Sequence, residues 1–465
     1  MTDTNRYPGR LRRTHKVAEL AKLSPGGEVA VLCGRVIGLI DGEAMIGGKE
    51  VAAEKAFVLQ DDSGRLNIAC AELPKVGMII EVSVINDGRG RFLVQGEIQI
   101  LADCEDFYIS PQASPNYKKM AIDESFRSTL LKRSRVVAAI REFFAARGFA
   151  DVETPCLVRL PGMEPYLDVF KTRFEADFSA DQKLNEDMYL ITSPEYAMKK
   201  LLVGGLEKIF QITRSFRNKE TFSERHNPEF TILEWYRAYA SYLEIMTDTE
   251  ELVKFVWEKI GEKSEGKLIN KMKWGNVEID IGAPWKRLRV LEAFRLMAEI
   301  DEETFFNLDK FRQVVRSRGY VLTEGASFDD CFYSIFLNEI EPKLGLGVPT
   351  ILYDYPVSMA ALSKRCEDDD RFAERFEAYI GGVEICNAFT ELNDPVEQER
   401  RLTLEKEERR AAGKELYDVD KTFIDALKFG MPPSGGNALG VDRLVMLILG
   451  ERDIRNVLLF PHRDL

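Results

Sequence analysis

The sequence predicts an α+β chain in which a small all-β domain precedes a larger domain of strands and helices. Three observations carry that expectation. Between Glu28 and Cys104, five short runs rich in valine and isoleucine are separated by Gly, Asp and Asn turns. From Phe210 to Tyr239, FQITRSFRNKETFSERHNPEFTILEWYRAY reads as a strand, a charged loop and a returning strand. Near the C-terminus, PPSGGNALGVDRLVMLILG sets a glycine-rich turn before a helix that opens with Asp442 and Arg443.

The 465 residues suffice for two or three domains with ample core. A net charge of −13 argues against broad nonspecific nucleic-acid binding and leaves room only for a local basic patch. The seven cysteines are scattered without a CxxC pair, the pattern of reduced thiols in a cytosolic protein. No signal peptide or apolar run of membrane-spanning length is visible, so a cytoplasmic location is expected, without membrane contact. Three histidines (His15, His226 and His462) are too few for a histidine-built metal site or triad.

Residues 1 to about 24 are polar and basic, with Arg10, Arg12, Arg13, His15 and Lys16 leading into a short helix, VAELAKL. The five β runs that follow (VAVLCGRVIGLI, KAFVLQDD, GRLNIACAEL, GMIIEVSVI and RFLVQGEIQIL) suit a small Greek-key barrel of OB type. The proline-bearing linker YISPQASPNYKK places a boundary near 106–120, giving domains at 1–108 and 117–465. A helix is expected from about Phe126 to Arg147, with Val136, Ile140, Phe143 and Phe144 on one face and Gly148 ending it. GFADVETP then extends into a strand that stops at Pro155. Val277, Ile279 and Ile281 alternate as a further strand. PVEQERRLTLEKEERRAAG reads as a solvated helix, proline at its start and glycine at its end, with charges that serve solubility alone.

Several of these residues suit the activation of a carboxylate by ATP. That reaction needs a bent, neutralised triphosphate and stabilised developing charge. Arg217, at a strand end, can clamp a carboxylate and the α-phosphate in a fixed fork. Arg443, at a helix start, suits the γ-phosphate. Glu377 and Glu384, in FEAYIGGVE, are able to share Mg2+ in an extended or hairpin segment. Phe230 offers a flat face for adenine, Glu220 an acceptor for its amino group, and His226 a donor to phosphate. For each residue alone, structural salt bridging is the competing reading. An amine-bearing substrate would need carboxylates in a small pocket, for which Glu195 and Glu391 are candidates with Tyr236 as hydroxyl partner. Pairing of Glu391 with a nearby Arg or Lys is the alternative.

The region from about 117 to 465 resembles the lysine branch of the class II aminoacyl-tRNA synthetases. The matching strings are GFADVETP, TSPEYAMKKLLVGGLEKIFQITRSFRN, HNPEFTILEWYRAY, FEAYIGGVEICNAFTELND and GNALGVDRLVMLILG. Within that branch the chain is most similar to the elongation factor P (R)-β-lysine ligases. VRLPGMEPYLDVFKT lacks the GAxARPF-like string usual in the tRNA synthetases, EPKLGLGVPTILYDYPVSMAALSK is of ligase form, and Ala438 stands where the synthetases usually carry glycine. One methyl at a pocket wall suits a substrate whose amino group is displaced by one position, a preference of about 1–3 kcal/mol.

The resemblance implies an antiparallel sheet flanked by helices and a homodimer built on the helix-strand-proline unit. It implies ATP and Mg2+ as cofactors, and an ATP site of Arg217, Asn218, Glu220, His226, Asn227, Phe230, Glu377, Glu384 and Arg443. Glu195 would bind the near amino group of a lysine or β-lysine and Glu391 with Tyr236 the far ammonium, while Asn387 orients the substrate beside Ala438. Glu377 and Glu384 would hold the magnesium. The chain departs from the family in FRNKETFSER, which is one residue longer than usual, so that either Lys219 or Glu220 takes the adenine-contacting place. Ala388 stands where glycine is common and is expected to crowd the pocket floor.

Three readings follow. The first is an ATP-dependent aminoacyl ligase that transfers its product to a lysine of elongation factor P. The second is a lysyl-tRNA synthetase charging tRNA with α-lysine. The third is an inactive relative that acts as a binding protein, disfavoured because Arg217, Arg443, Glu377 and Glu384 are all present. The ligases lack an N-terminal domain, whereas the tRNA synthetases carry an OB domain that reads the anticodon. The barrel of this chain has more acids than bases, with Phe57 and Phe92 its only aromatics, a poor equipment for single-stranded RNA. The basic N-terminal stretch remains able to touch a phosphate backbone.

Overall fold

The structure, a computed structural model, describes residues 11–465 except 41–43, 47–48, 52–54, 106, 108–113, 180–181, 221–222, 262, 265–266 and 361. Arg10 and the first half of the proline-bearing linker, 108–113, therefore lie outside the described residues. The chain divides into two compact units, 1–127 and 128–465.

In the first unit, strands Ala30–Ile40, Ala56–Gln60, Arg65–Ala69, Phe92–Val94 and Ile79–Asn86 pair in that order, and Ile79–Asn86 closes the ring on Ala30–Ile40. This is a closed, OB-like barrel. Its interior is filled by Val36, Phe57, Leu59, Ile68, Ile80, Val82 and Val84, the inward members of alternating strands. Closure brings strands close at Gly34, where a Cβ would stand 2.6 Å from the Gln60 carbonyl oxygen. The fifth expected run is two strands, Phe92–Val94 and Gln99–Ala102, because the chain turns at Gly96 with φ +82°. VAELAKL forms a single 3-10 stretch, Val17–Lys22, anchored by buried Val17 and Leu20.

Two of the N-terminal basic residues are partnered within this unit. Arg13 pairs with Asp61, and Lys16 Nζ lies 2.7 Å from Asp62. Phe57 is fully buried and offers no face to a base.

The second unit is built on an eight-stranded sheet, its strands numbered here in chain order: β1 (Ala150–Asp151), β2 (Lys208–Phe216), β3 (Glu229–Ala238), β4 (Lys286–Arg289), β5 (Thr350–Pro356), β6 (Phe372–Ile380), β7 (Val383–Thr390) and β8 (Ser434–Gly440). Their order is β4-β5-β6-β7-β8-β3-β2-β1, antiparallel except for the outermost pair at each edge. Helices α1 (Glu124–Ala146), α2 (Glu195–Val203), α3 (Tyr242–Ile260), α4 (Pro395–Ala411), α5 (Lys421–Gly430) and α6 (Val441–Leu449) accompany it. The apolar stripe of α1 is as expected: Val136, Ile140, Phe143 and Phe144 are fully buried, and Gly148 adopts φ +75° just beyond its end. One face of the sheet joins them through Leu233, Trp235, Phe376, Ala378, Ala388 and Leu439, with α3 and α6 packed alongside. Since strand side chains alternate, residues one step away point to the opposite face, where the site lies.

Two expectations change here. Ala388 does not floor a pocket; it is fully buried in the core on the sheet's other face, between Asn387 and Phe389, which line the cavity. Helix α4 begins at Pro395 and is followed by Gly413 at φ +65°, as predicted, and Asp394 caps its start by accepting from Val396 and Glu397. It is not merely solvated, however. Arg409 is fully buried and donates to the carbonyls of Glu164 and Leu167, and Arg401 donates to that of Ser363. Arg400, Arg401, Leu404, Glu405 and Glu408 present one side of the helix to the cavity.

Candidate active site

A cavity of about 800 Å³ opens on the sheet face away from the core of the second unit. It is bounded by the β2–β3 loop, β6, β7, β8 and the start of α6, and it contains most of the residues that sequence reasoning singled out. Arg217, Glu220, His226, Asn227, Phe230, Glu377, Glu384, Asn387, Ala438, Arg443 and Glu195 all line it.

At one end, the backbone N–H of Arg217 donates to the Pro228 carbonyl at 2.9 Å, extending the β2–β3 hairpin by one step. Its guanidinium lies over the Phe230 ring, 5.0 Å from the centroid. The Arg217 Nε is buried without a hydrogen-bond partner, and one Nη reaches Glu220 only at 3.5 Å. Such a cation retains donors for a ligand. Lys219 takes the left-handed conformation, φ +58°, which sends its own side chain outward toward Asp168 and turns Glu220 inward. Of the two candidates left open by the longer loop, Glu220 is thus the one in the cavity.

Asn218 does not line it. Its amide donates to the Val169 carbonyl and its backbone N–H to the Asp168 carbonyl, so its side chain secures the loop. Asn227 is at the cavity but partly spent as well, donating to Glu229 and accepting from the His462 N–H.

Helix α6 brings Arg443 to the same end, where its Nη1 lies 3.2 Å from Glu384 and its Nη2 lies 3.1 Å from Nε2 of His226. Arginine has no acceptor, so Nε2 accepts and the imidazole proton sits on Nδ1, from which it donates to Ser223 Oγ at 2.7 Å. Burial, and then the Arg443 charge, hold the His226 pKa below its ordinary value. In this arrangement His226 is an acceptor for Arg443, not the phosphate donor expected of it. Asp442 secures the helix start from below, accepting from the Thr231 N–H and pairing with Arg133.

Glu377 and Glu384 come together across the β6–β7 hairpin. Glu377 accepts from Arg375 at 2.6 Å, from the Tyr355 hydroxyl at 2.7 Å and from the Tyr379 hydroxyl. Burial pushes its pKa up, Arg375 opposes this, and Glu384 adds to the rise. Glu341, pushed up to about 7 chiefly by burial and then by Glu384 and Glu377, completes an acidic corner. Arg375 also donates to the Asn387 side-chain oxygen at 2.9 Å, fixing that amide.

The other end is a carboxylate pocket. Glu195, at the start of α2, lines the cavity, whereas Glu391, Glu234 and Tyr236 lie deeper, each at most 3% exposed. Tyr236 donates to Glu234 at 2.9 Å. Ser193 donates to the other oxygen of Glu234 at 2.6 Å. The alternative reading of Glu391 holds in part, since Oε2 is ion-paired to Lys199 Nζ at 2.5 Å. Burial drives Glu234 and Glu391 each up to about 8.

Sequence reasoning missed Glu234, Lys199, Ser193 and Arg375. Two of them left a signal. Glu234 is two positions before Tyr236 and so shares its strand face, and Lys199 is one helical turn after Glu195. Arg375 and Ser193 reach the site through tertiary packing and left none.

An antiparallel sheet that carries an arginine on its central hairpin, two carboxylates on a neighbouring hairpin and a second arginine at a helix start defines the catalytic domain of a class II aminoacyl-tRNA synthetase. Residues 110–464 match the family "tRNA synthetases class II (D, K and N)", and the chain belongs to that family. It is an ATP-dependent ligase. A "Lysine--tRNA ligase" of Magnetococcus marinus is 38% identical over 430 residues, 87% of this chain and 82% of that protein. One from Campylobacter hominis is 34% identical over 490 residues, covering 98% of this chain and 93% of the relative. For one from Clostridium tetani the figures are 37% over 349 residues, 74% of this chain and 66% of the relative. All seven cysteines are free, and among the described residues no helix is long and apolar enough to cross a membrane.

Proposed function

We propose that this protein activates lysine with ATP as an aminoacyl-adenylate and transfers it to tRNA. The reading is carried by one juxtaposition: a cation with an unpaired buried donor, Arg217, lies over an adenine-sized aromatic face, Phe230, in the cavity that Glu195 also lines, and Lys199 joins Glu195 to the buried Glu391. Burying three carboxylates against a single lysine is costly, and a substrate with two ammonium groups relieves that cost.

In this reading Arg217 holds the substrate carboxylate and the α-phosphate in one fork, keeping the attacking oxygen in line with phosphorus. Phe230 carries the adenine and Glu220 accepts from its amino group. Arg443 holds the γ-phosphate end, with His226 keeping its guanidinium turned into the cavity. Glu195 takes the near ammonium, and Glu391 with Tyr236 the far one. Asn387, oriented by Arg375, positions the substrate. Mg2+ would be held by Glu377 and Glu384, whose hard carboxylate oxygens fit that ion together with phosphate oxygens. Bound there, it would neutralise the bent triphosphate. Among the described residues no group of three or more His, Cys, Asp or Glu side chains forms a ready cage, which suits an ion that arrives with the nucleotide.

The names and long coverage of the relatives favour tRNA as the acceptor over the protein acceptor expected from Ala438 and the segment Glu341–Lys364. The second reading, (R)-β-lysine transferred to elongation factor P, keeps one specific support: Ala438 lines the cavity beside Asn387, with which it pairs across β7 and β8. The test is transfer after activation, with lysine and (R)-β-lysine each offered to tRNA and to elongation factor P. Charging of tRNA with α-lysine supports the first reading; acylation of the protein with β-lysine supports the second and overturns it.

A further inference from the structure

We infer that Lys199 is a positioning residue of the amino-acid pocket, a built-in ammonium that ties Glu195 to Glu391 and sets how many substrate cations the pocket accepts. The inference rests on the lysine-activation reading and deepens it.

Lys199 is fully buried, and its Nζ lies 2.6 Å from Glu195 Oε1 and 2.5 Å from Glu391 Oε2. These are the two carboxylates assigned to the substrate's two ammonium groups. The lysine bridges them from behind, from the helix turn that follows Glu195. Its Nζ also stands 5.5 Å from the Phe389 ring and 6.0 Å from that of Phe423, so the side chain is walled in and has no route outward without unpacking α5. It is therefore a fixture and not a gate.

The charged groups facing it are Glu195 on its own helix, Glu391 beyond β7 and Glu234 on β3. On the cavity side, the Glu195 charge helps to raise the pKa values of Glu164 and Glu405, after burial, and Arg217 opposes the rise at Glu164. Three carboxylates next to one ammonium leave two negative charges uncompensated when all are ionised. That is the charge of an amino acid's two ammonium groups once Arg217 has taken its carboxylate.

The geometry points the same way. Neither oxygen of Glu391 accepts a hydrogen bond; Oε2 has its ion pair with Lys199, whereas Oε1 is buried with no partner of either kind, on the side of Gly436 and the Tyr236 ring. A lone buried carboxylate oxygen is a seat for a cation. Lys199 is the one ion-pair partner of Glu391 among the described residues, and it lowers the Glu391 pKa; without it the proton would be held more tightly.

The test is Lys199→Met, a side chain of similar length that can pack between Phe389 and Phe423, compared with the whole wild-type chain in lysine-dependent ATP–pyrophosphate exchange from pH 6.5 to 9.5. We expect KM for lysine at pH 7 to rise about tenfold or more, kcat to stay within about threefold, and the acid limb of kcat/KM to move to higher pH, so that the defect shrinks as pH rises. An unchanged KM, or one raised by the same factor at every pH, would overturn the inference, since packing alone does not titrate. Lys199→Arg keeps the charge and is expected to keep the acid limb at the wild-type pH even if its KM rises. A displaced limb in that variant would also overturn it, and this holds if the methionine variant does not fold. Calorimetric titration with lysine gives the same comparison without turnover. Wild-type protein that binds lysine but does not exchange would refute activation while leaving Lys199 to be judged on binding; wild-type protein that binds no lysine would refute both.

Discussion

A Cβ placed on Gly436 would stand 2.2 Å from Oε1 of Glu391 and 2.5 Å from the Tyr236 ring. The glycine, on β8, leaves room for both the buried carboxylate and the phenol ring beside its Cα. Gly436→Ala forces one of them aside inside a packed wall, so we expect a loss of about 1–3 kcal/mol in stability together with a marked rise in KM for lysine. Thermal denaturation and exchange kinetics on one preparation check both. Unchanged lysine kinetics would place the ammonium seat elsewhere.

Arg217 and Arg443 are both partly exposed into the cavity, and neither supports the core. Replacing either by alanine is expected to lower lysine-dependent ATP–pyrophosphate exchange by at least about a hundredfold while leaving the melting temperature nearly unchanged. Normal exchange in either variant would remove that arginine from the phosphate site.

The carboxylate pocket should make the protein respond to pH. Glu234 and Glu391, each pushed up to about 8 by burial, hold protons in the ligand-free protein that free glutamates have lost. A carboxyl whose folded pKa is raised contributes stability below the unfolded value near 4.5 and loses it as pH rises through the folded value. The melting temperature of the free protein should therefore fall between about pH 5 and pH 8 from these two groups, and saturating lysine should offset most of that fall. Lysine binding near pH 7 should release protons, seen as a buffer-dependent enthalpy in calorimetry. A binding enthalpy independent of buffer would contradict ionised carboxylates as the ammonium partners.

Ala438 faces the cavity where the sheet carries Asn387, so Ala438→Gly enlarges the wall by one methyl. The expected result is a shift of preference toward α-lysine over (R)-β-lysine corresponding to about 1–3 kcal/mol. An unchanged ratio would mean that the wall does not read the position of the amino group.

Much of this was legible in the chain because the relevant signals are local. Alternation in EFTILEWY puts Phe230 on one strand face and Leu233 and Trp235 in the core, and the helical spacing of Val136, Ile140, Phe143 and Phe144 reappears as a buried stripe. The barrel was equally plain, apart from Gly96 breaking its fifth run. What failed depended on direction or on distant partners. Asn218 sits beside the key arginine in sequence, yet the strand end turns its amide toward Val169. Ala388 was assigned to the pocket although alternation with Asn387 sends it to the core. The charges of α4 looked like a solvated face because Arg401 and Arg409 pair with backbone carbonyls far away in sequence, which no periodicity reveals. Lys199 left only half a signal: its place one helical turn after Glu195 was visible, but its second partner, Glu391, is far away in sequence.

The most direct measurement is ATP–pyrophosphate exchange by the wild-type chain with lysine present and absent. Exchange that requires lysine, and that is lost in Arg217→Ala, is the result this account predicts. A folded protein that shows no lysine-dependent exchange at any lysine concentration up to the millimolar range typical of weak substrates would contradict it.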